Sequence, residues 1–244
     1  VVVTLNDTHF NYNRAMNGGA VYVGANGLTN YVYSSTFNEN YANGGKGGAI
    51  NWMASAGHIL DSNITNNHAD YGAGIYLGGD SENSVISHVI FDNNEANFDG
   101  GAIDWNATRG NLTHTIFKNN KAQYGAALCR EAGATGGFGY NNTFESNHAY
   151  ISGAALAWMG SEGININTYT FNDNWADVSG GAIYIATNSP SCVINNSQFN
   201  RNYVSNPDGG YGGAIACLAD NATVINTTFD DNHAFEGGAI YVGR

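Results

Sequence analysis

The sequence predicts an all-β solenoid, a parallel β-helix of about nine coils of ~27 residues with three short strands per coil. The first supporting observation is a fixed period. The pair Phe-x-x-Asn-x-Ala and Gly-Gly-Ala-Ile recurs nine times and fills all 244 residues. Its first position is held by Phe10, Phe37, Ile64, Phe91, Phe117, Phe144, Phe171, Phe199 and Phe229, at intervals of 26 to 30 residues. Such a period marks stacked units, each burying its apolar face against its neighbours. The second is alternation after the Gly pair, where an aliphatic position (Val21, Ile50, Ile75, Ile103 and their equivalents) is followed by a mixed one. That is a strand with one buried face. The third is the lack of 3.6-residue spacing in a chain with 33 Gly and 37 Asn, a density that erodes helices.

Within a coil, the first strand lies five residues before each Phe, where Leu5, Val32, Ile59, Ile86, Leu112, Ile166, Ile194 and Val224 recur and Gly139 alone departs. The Phe-x-x-Asn stretch is the second strand and the residues after the Gly pair the third. Three residues beyond each Phe an Asn stands every time: Asn13, Asn40, Asn67, Asn94, Asn120, Asn147, Asn174, Asn202 and Asn232. Stacked coils put equivalent residues above one another, so these amides can bond along the axis as a ladder and the Phe rings can stack. Asn also tolerates left-handed backbone, which gives the column a structural cause at a turn. The Ala and Gly columns mark places too tight for larger side chains. Nine coils at ~4.8 Å make a rod of roughly 43 Å. Residues 1–244 read as a single domain with one continuous core.

Composition narrows the function. With Lys+Arg of only 8 and a net charge of −12, nothing neutralises a phosphate backbone, and anionic membrane surfaces are disfavoured. No run approaches the ~18 apolar residues of a membrane span, so this segment does not insert directly. The odd count of cysteines (Cys129, Cys192, Cys217) gives neither a zinc motif nor a disulfide framework; buried thiols are the expectation.

The joint motif, as in Phe171-Asn172-Asp173-Asn174 with Gly180-Gly181-Ala182-Ile183, resembles the passenger repeats of chlamydial polymorphic outer membrane proteins. It is similar, too, to the adhesin-like surface proteins of methanogenic archaea. The resemblance covers all nine coils and implies a right-handed parallel β-helix displayed on a cell surface, often for attachment. Gly72-Ala73-Gly74, Gly125-Ala126-Ala127 and Gly153-Ala154-Ala155 depart from the motif by small-residue swaps.

Parallel β-helices also serve as polysaccharide lyases and hydrolases, so the chemistry such enzymes need is the alternative to weigh. Paired carboxylates in one cleft, or a base beside bound calcium, would be required. The acids Asp92, Asp173, Asp230 and Asp231 are spread along the rod, and Arg14, Arg109, Lys121 and Arg201 occupy scattered columns. No enzyme and no cofactor is therefore expected, calcium being the alternative. His88 and His114 share a column on adjacent coils, ~5 Å apart, as a solvated pair or the start of a metal site. Trp52, Trp105 and Trp158 share another column on alternate coils, ~10 Å apart. They are candidates for stacking glycan rings; alternatively they fill the core at a corner, which strand parity favours. Eight Asn-x-Ser/Thr sequons, at Asn6, Asn63, Asn106, Asn111, Asn141, Asn195, Asn221 and Asn226, are candidate glycosylation sites.

The expected function is an extracellular or cell-surface β-helix acting in adhesion or as a spacer, with a structural filament subunit as a further reading. The expected partner is a host or neighbouring-cell surface protein or glycan, touched by a Tyr column (Tyr22, Tyr76, Tyr184, Tyr241). Val1-Val2-Val3 and Ala239-Ile240-Tyr241-Val242 read as ordinary rung strands. Continuation by further coils, in a longer parent chain or by end-to-end self-association, is expected. Asn206-Pro207-Asp208-Gly209-Gly210 predicts a loop leaving a corner while the stack stays in register. Leu in place of Asn120 should be costly, and in place of Asn119 nearly silent.

Overall fold

A computed structural model describes residues 2–27, 30–161 and 165–243; Val1 and Arg244 lie outside the described residues. The chain winds through four parallel sheets, each strand pairing with its equivalent one coil away. Nine strands from Thr4–Asn6 to Thr223–Ile225 form an aliphatic sheet, and nine from His9–Asn11 to Thr228–Asp230 a Phe sheet. Nine more, from Val21–Val23 to Ile240–Val242, form an Ile sheet. These are the three strands of the predicted coil. A fourth ladder, of eight strands from Arg14–Ala15 to Tyr203–Val204, runs through the Ala column between the Phe and Ile sheets. Its strands are mostly two to four residues long, too short to show as alternation in the sequence.

Register follows the motif: Phe10 pairs with Phe37, Phe117 with Phe144, and Ile183 with Ile215. The core runs unbroken from Val32 to Cys217. Inside it Phe91, Phe117, Phe144, Phe171 and Phe199 stack with centroids 5.0, 4.7, 5.1 and 4.4 Å apart. Each fully buried ring contributes about 1.5–3 kcal/mol through removal of apolar area from water. The alanines of the fourth ladder form a second small cluster with Ala73, Ala126 and Ala154. All three cysteines are free and buried.

Each coil reverses direction through left-handed backbone. The turn between the aliphatic and Phe sheets has φ of 44 to 61° at Asp7, Ser34, Asp61, His88 and their equivalents. The turn after the Phe sheet has φ of 51 to 60° at Tyr12, Glu39, Asn66, Asn93, Asn119 and their equivalents. The left-handed residue is thus the one before each ladder Asn, and the ladder Asn itself is not left-handed. This corrects the turn-conformation account of the Asn column, and it also places Asn119 where a Leu is strained rather than silent. At the third such turn only Gly fits: at Gly100, φ 63°, a Cβ would lie 2.3 Å from the Ile103 carbonyl oxygen. Hence the first Gly of the pair survives in the three departing coils while the second becomes Ala.

The ladder is held by bonding. Asn120 donates its backbone N–H and its Nδ2 to the Asn147 Oδ1, at 3.0 and 2.9 Å. Nδ2 also donates to the Phe91 carbonyl at 3.1 Å, and Asn120 Oδ1 accepts the N–H and Nδ2 of Asn94, both at 3.0 Å. Every amide atom is used twice. Asp lacks the donor and Gln is one methylene too long, so the pattern selects Asn.

Coil eight carries its extra residues as predicted. Asp208 N–H caps onto Asn206 Oδ1 at 3.1 Å, Tyr211 then bridges to Ser179 and Glu236, and Ile215 pairs with Ile183 and Ile240. In coil one Leu5, Phe10, Val21 and Val23, with Trp52 of coil two, line a pocket of about 600 Å³. Among the described residues no helix is long and apolar enough to cross a membrane.

Candidate functional surface

The Trp column faces inward. Ile50 and Trp52, or Ile103 and Trp105, occupy alternate strand positions on the core side, and all three indoles are buried. Trp52 Nε1 donates to the Ala54 carbonyl at 2.9 Å and Trp105 Nε1 to Ala107 at 3.0 Å. The rings slide beneath the next strand, where Gly57 and Gly110 make room; a Cβ on either would lie 2.3 or 2.2 Å from the indole. Trp52, Trp105 and Trp158 therefore offer no face to a glycan, which corrects that assignment: strand parity puts all three in the core, with a glycine beneath the rings of Trp52 and Trp105.

The expected Tyr contact column is broken up as well. Tyr22 is exposed, but Tyr76 is buried and accepts a hydrogen bond from Lys46 Nζ at 2.8 Å, with that ammonium 4.2 Å from its ring. Tyr184 and Tyr241 are half-buried. The Lys46 side chain lies over Tyr76 on the outer face of the Ile sheet, so parity alone overstates exposure there.

The acids considered for catalysis point to different neighbours. Asp173 holds Arg201 in a two-bond ion pair at 2.8 and 2.7 Å, and Asp92 accepts from Asn119 Nδ2 at 2.9 Å. Arg109 pairs with Glu82. His88 and His114 stack face to face, centroids 4.8 Å apart. Among the described residues no group of three or more His, Cys, Asp or Glu is placed to hold a metal. Of the sequons, Asn6, Asn63, Asn111, Asn141, Asn221 and Asn226 are exposed, and Asn106 and Asn195 are half-buried.

Two lateral features were not read from the sequence. The first is an aromatic stack on the outer face of the Ala ladder. His148 lies 3.3 Å from Trp175 and Trp175 5.8 Å from Tyr203, all nearly parallel. Burial against Trp175 lowers the His148 pKa, opposed by the nearby Asp177 carboxylate at 3.3 Å. The second is an apolar ridge along the corner just past the Ala column. Met16 is 72% exposed, Phe98 41%, Tyr150 42%, Val178 40% and Phe235 59%. A signal existed: these residues stand one or two positions after Ala15, Ala96, Ala149, Ala176 and Ala234, where a one-sided strand should present polar groups.

Residues 168–186 and 226–243 match the family model of the Chlamydia polymorphic membrane protein repeat. The matched segments run from Phe171 past Ile183 in coil seven and from before Phe229 past Ile240 in coil nine. No curated protein and no solved structure matches the chain. The chain is a parallel β-helix, and its coils seven and nine match the Chlamydia polymorphic membrane protein repeat.

Proposed function

We propose that this chain is a non-enzymatic β-helix of the cell surface or extracellular space that acts in adhesion, with its rod serving also as the spacer. The observation that carries the reading is the ridge of Met16, Phe98, Tyr150, Val178 and Phe235. Single apolar residues on a surface need no account, but five at one corner of an acidic rod, on coils one, four, six, seven and nine, support a contact surface there. The partner it fits is a protein surface. Phe98 is stacked on Tyr71, centroids 5.2 Å apart, so its ring offers an edge and one side rather than the open platform that sugar stacking needs. Repeat-family resemblance supports the surface setting.

The test is binding of labelled chain to intact cells. The comparison is with a variant carrying Met16→Ser, Phe98→Ser, Tyr150→Ser and Phe235→Ser that keeps the wild-type melting curve. Loss of binding in the variant and after protease treatment of the cells, with binding retained after glycosidase, is expected. Equal binding by both chains sinks the proposal, as would depolymerisation of polygalacturonate or related glycans, with or without calcium.

A further inference from the structure

Coil five carries a buried charge with no counter-charge among the described residues. The corner column filled by Trp105 in coil four and Trp158 in coil six holds Arg130 in coil five, paired in register with both. Arg130 is 2% exposed. Its Nη2 donates to the Gly136 carbonyl at 2.9 Å, but its Nε has no acceptor. Among the described residues no ion pair involves it. The ionisable groups that face it are the Tyr169 hydroxyl and the Cys192 thiol, and burial holds both protonated. One rung on, Trp158 Nε1 is also without an acceptor, although Trp52 and Trp105 each find a carbonyl two residues ahead.

The surroundings leave room for the missing partner. Coil six is where the aliphatic column breaks, at Gly139, and a Cβ there would lie 1.9 Å from the Tyr169 hydroxyl. Arg130, Tyr169, Phe138 and Gly139 line a cavity of about 10 Å³, closed otherwise by side chains such as Leu112 and Ile166. That is the lower limit of space for one water, so a halide, larger than water, seats there as the surrounding side chains give slightly. Tyr169 lines the same cavity, and its hydroxyl can turn to donate a proton into it. A guanidinium does not shed its charge at neutral pH, and an unpaired buried ion is the least favourable way to use one. Two donors and a positive charge around a one-atom cavity define an anion's complement.

We propose that coil five binds a monatomic anion of the halide class, with chloride as the physiological occupant, between the Arg130 guanidinium and the Tyr169 hydroxyl. Polyatomic anions such as sulfate exceed the space. The ion completes the core at the coil where this inward column holds a cation.

The test uses the whole chain. Melting curves are recorded in potassium chloride, potassium bromide and potassium gluconate at equal ionic strength. The melting temperature should climb by about 3–6 °C for each tenfold rise in halide above its dissociation constant, and stay flat in gluconate. Arg130→Met should melt identically in all three salts. Crystals of the wild-type chain grown in bromide add a readout independent of the variant's folding: an anomalous peak beside Arg130 Nε. Identical wild-type curves in chloride and gluconate, or a water at that position with no anomalous signal, would overturn the proposal.

Discussion

The corner after the Phe sheet and the corner where the Ile sheet returns to the aliphatic sheet sit in the same coils, yet they obey different rules. At the first, Asn13 through Asn232 are the same residue nine times. At the second, the inward column reads Val23, Trp52, Leu77, Trp105, Arg130, Trp158, Ile185, Cys217 and Val242. The difference lies in what each side chain touches. A ladder Asn bonds to copies of itself, so a change in one coil strands donors below and acceptors above. A return-corner residue packs against unlike neighbours, and any set of shapes that fills the volume is tolerated. The cost of that freedom is visible in the polar atoms. Among the described residues, the buried side-chain N and O atoms without partners are Arg130 Nε, Trp158 Nε1, Ser161 Oγ and Asn51 Oδ1. The first three belong to the return corner and none belongs to the Asn corner.

Breaking the ladder should therefore produce the largest effect. Asn120→Leu leaves the Asn94 N–H and Nδ2 without their acceptor and the Phe91 carbonyl without its donor, all of them buried. Each unsatisfied group costs roughly 1–3 kcal/mol, so a loss of about 3 kcal/mol or more is expected in a urea titration. A return-corner change of similar volume, Leu77→Met, should cost less than about 1.5 kcal/mol. Equal losses would show that the two corners do not differ as argued.

How far each corner could be read in advance follows from the same contrast. Period, strands, Phe stack and Asn ladder are legible because each is stated nine times. The left-handed residue before the ladder Asn was missed because it is held by Tyr12, Glu39, Asn66, Ser146 and Arg201 alike. There the backbone is repeated and the side chain is not. The alanine ladder was hidden by strands as short as two residues. The inward set of the Trp column was favoured by parity, but the glycines beneath the rings, Gly57 and Gly110, lie in loops of no fixed pattern. The apolar ridge and the lone Arg130 occur once each, so periodicity is silent about both.

Charge separates the two sides next. The Asn ladder carries none, whereas Asp104 is buried on the outer face of the Ile sheet beside Asp99 and Glu131. Desolvation first, then the Glu131 charge, hold the Asp104 carboxyl well above the usual range, with Lys46 opposing, and lift Asp99 to about 7. Next to Asp104 in register, the Cys129 thiol is pushed up by burial and by these same acids. The folded chain therefore holds protons that an unfolded chain releases above pH ~4. Stability should fall as pH rises from ~4 through about 7, the reverse of a salt-bridged carboxylate. Melting by circular dichroism at pH 5 and pH 8 measures the drop. Asp104→Asn should gain about 1–2 kcal/mol at pH 8 and flatten the slope. An unchanged slope in that variant would remove Asp104 from the account.

A smaller effect sharpens the regular side itself. Asn119 has φ 53° and donates Nδ2 to Asp92 at 2.9 Å on the surface. Asn119→Leu should cost about 1 kcal/mol, through left-handed strain that Asn tolerates and Leu does not. Asn119→Gly should be within about 0.5 kcal/mol of wild type, because Gly accepts that backbone freely. If Leu and Gly behave alike in denaturant, side-chain loss rather than backbone geometry governs the position.

The last and most local expectation concerns the one place where the regular side is interrupted. Residues 206–210 leave the corner of coil eight after Val204, and the stack resumes at Tyr211, bridged to Ser179 and Glu236. The insertion sits just past the Ala ladder, so it lengthens a turn without entering a rung. Pro207 and Asp208 are exposed, and cleavage needs a stretch of backbone that can open without breaking ladder bonds. Limited proteolysis should nick between Asn206 and Gly210 first, and the nicked chain should keep its melting temperature within about 2 °C, since no core residue is released. Early cleavage in the return-corner loop 131–137, with 206–210 intact, would reverse the comparison. It would show that the irregular corner, and not the insertion, is the weakest part of the rod.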